Sequence, residues 1–65
     1  TSTVSLAVIP VEHRYFGHTT ASVDLRQGDG LFGVIKEDGS FLLKTKNEEI
    51  YLDSGDSLVC SRKID

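Results

Sequence analysis

The sequence predicts a small α+β domain, one short helix beside a β-sheet that contains an antiparallel hairpin. Three observations point that way. Val4, Leu6 and Val8 alternate with other residues along Thr3 to Val11, the period of a strand with one apolar face. Asp38-Gly39 separates two apolar runs, Leu31 to Ile35 and Phe41 to Leu43, and such a pair is a strong signal for a tight hairpin. Between them, Thr19 or Thr20 can cap a helix in which Ala21 and Leu25, four residues apart, share a face.

Taken in order, Thr3 to Val11 is a strand that Pro10 confines to an edge or to its own terminus. Glu12 to Phe16 connects it to Gly17, where the backbone can take conformations closed to other residues. On pattern alone Thr19 to Leu25 suits a strand as well as a helix, since Val23 and the threonines favour extended backbone. Gln27 to Gly30 reads as a loop. Leu31 to Ile35 is apolar on both sides apart from Gly33, as a strand buried on both faces would be. Phe41, Leu42 and Leu43 return antiparallel to it. Lys44 to Glu49 is charged and exposed, and Ile50 to Leu52 is a short apolar patch. Ser54-Gly55-Asp56 turns into a last strand, Ser57 to Ser61, which leaves Arg62 to Asp65 as a tail or the start of a linker.

Composition bounds the function. Sixty-five residues make one domain, and a chain of this size buries only about 60% of its unfolded surface. A single cysteine excludes an internal disulfide, so association with a second chain is the expected source of extra stability. Beginning at Thr1 and lacking methionine, the sequence reads as a processed or excised part of a longer protein. Seven basic against ten acidic residues give a net charge of −3, which disfavours nucleic acid as a partner because phosphate binding needs a positive footprint. No apolar run reaches membrane-spanning length and no leader is present, so a soluble domain without membrane insertion is expected. The lone Cys60 fits a reducing compartment.

No catalytic set emerges. His13, His18 and Cys60 are too few and too scattered for zinc. Cys60 sits in an apolar strand, the setting of a buried filler rather than an activated nucleophile. The carboxylate pairs Glu37-Asp38 and Glu48-Glu49 lie in expected exposed turns, where burial cannot shift a pKa for acid–base work. Gly28-Asp29-Gly30 with Gly33 lacks the dinucleotide spacing and the following helix, so turn chemistry accounts for it. The chain is expected not to be an enzyme and to carry no metal or cofactor.

The segment Gly17-His18-Thr19-Thr20-Ala21-Ser22-Val23-Asp24-Leu25-Arg26 resembles the start of a TrkA-C domain, and the resemblance decides for a helix at Thr19 to Leu25. The likeness continues through Phe32 to Gly39, Phe41 to Leu43 and Leu52 to Val59, covering about Leu6 to Ser61 in the family's order. Departures are Thr20 in place of a core leucine, Ser22 in place of a capping glutamate, no proline between Lys44 and Asn47, Cys60 after Val59, and Ser61 where a glycine often ends the strand.

What the resemblance implies is a dimeric regulatory domain on the cytosolic face of a potassium channel, a potassium-uptake system or another ion transporter. Its ligand, a cyclic dinucleotide in some members, would sit at or near the two-fold interface and shift the attached transporter between states. Asp24 and Arg26 are the polar groups expected to meet that ligand, with His18 and Thr20 beside them. The alternative is an SH3-like or Sm-like small barrel serving interaction, of the kind at the C-terminus of biotin–protein ligases. Thr19 to Leu25 would then be strand or loop.

Overall fold

A computed structural model describes the backbone of residues 3–64 and the side chains of residues 4–62. Four strands, β1 (Thr3–Pro10), β2 (Asp29–Ile35), β3 (Phe41–Leu43) and β4 (Ser57–Ile64), form one antiparallel sheet in the order β1-β4-β2-β3. The other regular elements are two single 3-10 turns, His13–Tyr15 and Thr20–Ser22.

The fold is therefore all-β in character, and the α+β expectation is wrong: no α-helix exists among the described residues. At the capping position Thr19 does what the sequence suggests, its Oγ1 accepting the Ala21 amide at 3.3 Å, and Ser22 N–H closes one turn on the Thr19 carbonyl. The turn stops at Val23, which is extended. Two demands prevent a longer helix. Upstream, Gly17 to Thr20 spends its backbone on a short ladder with Ile50 to Leu52: Gly17 N–H to the Leu52 carbonyl at 3.0 Å, Leu52 N–H to that of His18 at 2.8 Å, and Thr20 N–H to that of Ile50 at 2.9 Å. Downstream, Val23 packs against the core and the Asp24 amide donates to the Tyr15 hydroxyl at 3.1 Å. A short helix gains too little of its own to outbid those contacts.

Further differences are local. β4 runs three residues past the expected end at Ser61, because β1 pairs with it along its whole length, from Thr3 opposite Ile64 to Pro10 opposite Ser57. Asp65, the last residue of the expected tail, lies outside the described residues. The hairpin is a wider turn than the two-residue type: Gly39 alone takes positive φ, +92°, while Asp38 uses its carboxylate to accept from Ser40 N–H at 2.8 Å and Ser40 Oγ at 2.6 Å. β2 is not buried on both faces; Phe32 is exposed while Gly33 and Val34 are buried.

Cross-strand partners share a face, so the register sorts the sheet into two sides. On one side Leu31, Val34, Leu58 and Cys60 join Val11, Tyr15, Ile50 and Leu52 in the core, with Phe16 and Val23 packed against it. The segments 11–25 and 44–56 cover that side. The other side carries Val4, Leu6 and Val8 from β1, Val59 from β4, Gly30, Gly33 and Ile35 from β2, and Phe41 and Leu43 from β3. Val59 is buried yet stands outside the core cluster. β1 and β3 form opposite edges, so the sheet is open.

Candidate functional site

The four residues expected to meet a ligand are dispersed in role. Thr20 is buried, and its Oγ1 accepts the Ile50 amide at 3.1 Å, so the hydroxyl serves the loop ladder. His18 and Arg26 are exposed; their backbone carbonyls accept from Leu52 and Asp29 N–H, at 2.8 and 3.0 Å. Asp24 is also exposed and borders a groove of about 100 Å³ with Arg14 and Tyr15, floored by Cys60. His18, Thr20 and Arg26 do not line that groove.

Burial pushes the Cys60 thiol up, and the nearby Asp29 carboxylate adds to the effect. A thiol held protonated in an apolar setting is inert, as a filler would be. Among the described residues, no group of three or more His, Cys, Asp and Glu side chains is placed to hold a metal ion.

Sequence reasoning missed the most engaged polar group, Asp56. It follows Gly55, whose φ of +87° makes the turn. The turn delivers the carboxylate inward, where it is 3% exposed. There it accepts from the Lys36 ammonium, from Glu37 N–H at 2.9 Å and from Asp53 N–H at 3.0 Å. Burial pushes this carboxyl up, but the Lys36 ammonium and the two amides outweigh it and hold the group below its ordinary value. Lys36 also donates to the Tyr51 carbonyl at 2.8 Å. The open cleft above, bordered by Glu37, Asp38, Asp53 and Ser54, thus has its one cation already spent on the fold.

The feature that packing within the chain leaves unexplained is the second face of the sheet. Val4 is 62% exposed, Leu6 57%, Val8 60%, Phe41 46% and Leu43 56%. Phe32, in the irregular part of β2, stacks on Phe41 with ring centroids 5.8 Å apart. A row of cross-strand partners, Val8, Val59, Gly33 and Leu43, runs from edge to edge. The polar positions on this side are Ser57 and Ser61, and no charged side chain occupies it among residues 4–62; Lys63, opposite Val4, lies beyond the described side chains.

Gly33 shapes the surface. A Cβ there would collide with the Phe41 ring and come within 2.6 Å of the Leu42 carbonyl oxygen. Its absence lets the ring lie flat across β2. One face of an antiparallel sheet left to solvent ordinarily carries polar residues. Here 26% of the chain is charged, yet no charged side chain among residues 4–62 lies on this side. Contiguous exposed apolar patches are uncommon on the surfaces of monomeric soluble proteins. The alternation in Thr3 to Val11 signalled this one, although alternation alone does not say which face is covered.

No family model, no curated protein and no solved structure matches this chain.

Proposed function

We propose that the chain is a non-catalytic association domain that works through the uncovered face of its sheet. The observation that carries this reading is the apolar surface formed by Val4, Leu6, Val8, Phe32, Phe41 and Leu43, on which no charged side chain lies among residues 4–62. The chemistry of the remaining groups agrees with it. Cys60 is buried, Asp56 and Lys36 are spent on each other, and Arg62 pairs with Asp29 at 3.3 Å. The test is a Leu6→Lys, Leu43→Lys double variant at the native locus, with the tagged protein followed on a native gel. Loss of the slower-migrating species is expected, and unchanged migration would refute the reading.

A narrower form makes this association domain the cytosolic regulatory module of a potassium channel, potassium-uptake system or other ion transporter, of the TrkA-C kind. The order of strands and turns favours it: β2, the Asp38-Gly39 hairpin, β3, the Gly55-Asp56 turn and β4 follow one another as in the resemblance. The expected helix, which anchored the likeness at Gly17 to Arg26, is reduced to one turn, which counts against this narrower form and is the outcome that the alternative, an SH3-like or Sm-like interaction barrel, called for. Among the described residues no helix is long and apolar enough to cross a membrane, so attachment to a transporter would come through the parent protein. A cyclic dinucleotide at 100 times its dissociation constant would add about 2.7 kcal/mol of stability. A melting temperature unmoved by cyclic dinucleotides would remove that ligand from the proposal.

A further inference from the structure

We infer that the occupant of the uncovered face is a second copy of this chain, the two sheets packing face to face as a sandwich about a two-fold axis. The inference rests on the association reading and names its partner. Size comes first: the six exposed apolar side chains present on the order of 600 Å² per copy, so a symmetric pair reaches the roughly 1,200 Å² at which specific interfaces begin. The face is also self-compatible. In a two-fold contact the same patch meets itself, so a surface carrying charge of a single sign would repel its copy. This chain carries a net −3 yet places none of its described charged side chains there. A partner of opposite charge would gain nothing from such a surface, whereas a copy loses nothing.

Fold economy points the same way. All of the larger side chains buried in the core cluster lie on one side of the sheet, and among the described residues only Leu52 and Val34 are fully enclosed. A single covered face is a thin core for an independent domain, and oligomerisation is a common remedy. A face-to-face pair would enclose Val59 between two apolar layers, at the spacing of about 10 Å usual for packed sheets.

The experiment uses the purified 65-residue chain, its fold first checked by the dispersion of its amide spectrum. Sedimentation equilibrium from low micromolar to near-millimolar concentration is expected to show a monomer–dimer equilibrium. In a mixture of isotope-labelled and unlabelled copies, intermolecular NOEs should join the methyl groups of Val4, Leu6, Val8 and Leu43 to one another or to the rings of Phe32 and Phe41. The Leu6→Lys, Leu43→Lys variant should weaken dimerisation by roughly a hundredfold or more. If it misfolds, Leu6→Ser with Leu43→Ser serves in its place. A chain monomeric throughout, a dimer whose intermolecular NOEs lie elsewhere, or a folded face variant that dimerises normally would each overturn the inference. A monomer whose double-lysine variant still abolishes the native-gel species would point to a different protein as partner: the association reading would survive and the homotypic one would fall.

Discussion

Asp56 shows how much of a small fold can hang on one carboxylate. Its three partners come from the end of β2 and from its own turn, so it fastens the hairpin to the loop that launches β4. Removing the carboxylate leaves two amides and an ammonium without their acceptor. Asp56→Ala is therefore expected to cost about 3 kcal/mol, measured by urea denaturation at neutral pH. The pH dependence follows from its depressed folded-state pKa. Above the ordinary aspartate value of about 4 the contribution is complete, and it is lost as pH falls from there through the folded value. The chain should lose stability as pH falls below about 4. Asp56→Asn should be less stable at neutral pH and flatter across that acid range. An acid profile identical to that of the unmodified chain would show that other carboxylates govern it. Asp38 also sits below its ordinary value through its bonds to Ser40, but it is fully exposed, so its share of any acid effect is screened.

At the level of elements, β2 is the strand whose composition makes most sense only in place. Gly33 interrupts an apolar run and would be a weakness in an isolated strand. In the sheet it sits under the Phe41 ring and against the Leu42 carbonyl, next to the irregularity between Leu31 and Gly33 where the register with β4 shifts. Gly33→Ala is expected to destabilise by about 2 kcal/mol through overpacking. Phe41→Ala in the same chain should recover part of that loss and not all of it, since the Leu42 carbonyl remains. A double-mutant cycle by thermal or chemical unfolding measures the coupling; additive costs would show that the ring is not the obstacle. The missing helix belongs to this scale too. Thr19 caps as its residue type predicts, yet the segment before it is claimed by Ile50 to Leu52, two of whose residues are in the core.

For the whole molecule, the contrast between the two sides of the sheet is the central property. Leu52 is completely enclosed, and Leu52→Ala should cost about 3 kcal/mol or more, which a domain of this size can barely survive. Leu6 and Leu43 are more than half exposed. Lysine at both, measured on the dilute monomer, should change stability by no more than about 0.5 kcal/mol each. Unfolding followed by circular dichroism at low concentration checks both halves. Equal penalties for the two kinds of substitution would mean that the second face is also covered within one chain.

What the sequence by itself determined were the strands and turns, because their signals are local. Alternation marked β1, Asp38-Gly39 marked the hairpin, and Ser54-Gly55-Asp56 marked the entry to β4, all found in place. Only the tertiary structure decided the rest. Whether Thr19 to Leu25 is a helix depended on a ladder with residues about thirty positions away. The value of Asp56 depended on a lysine twenty residues earlier. The uncovered face depended on which side of β1 the connecting segments chose. Alternation gives a strand two faces, but long-range packing, in which side chains compete for one small core, decides which of them is left for a partner.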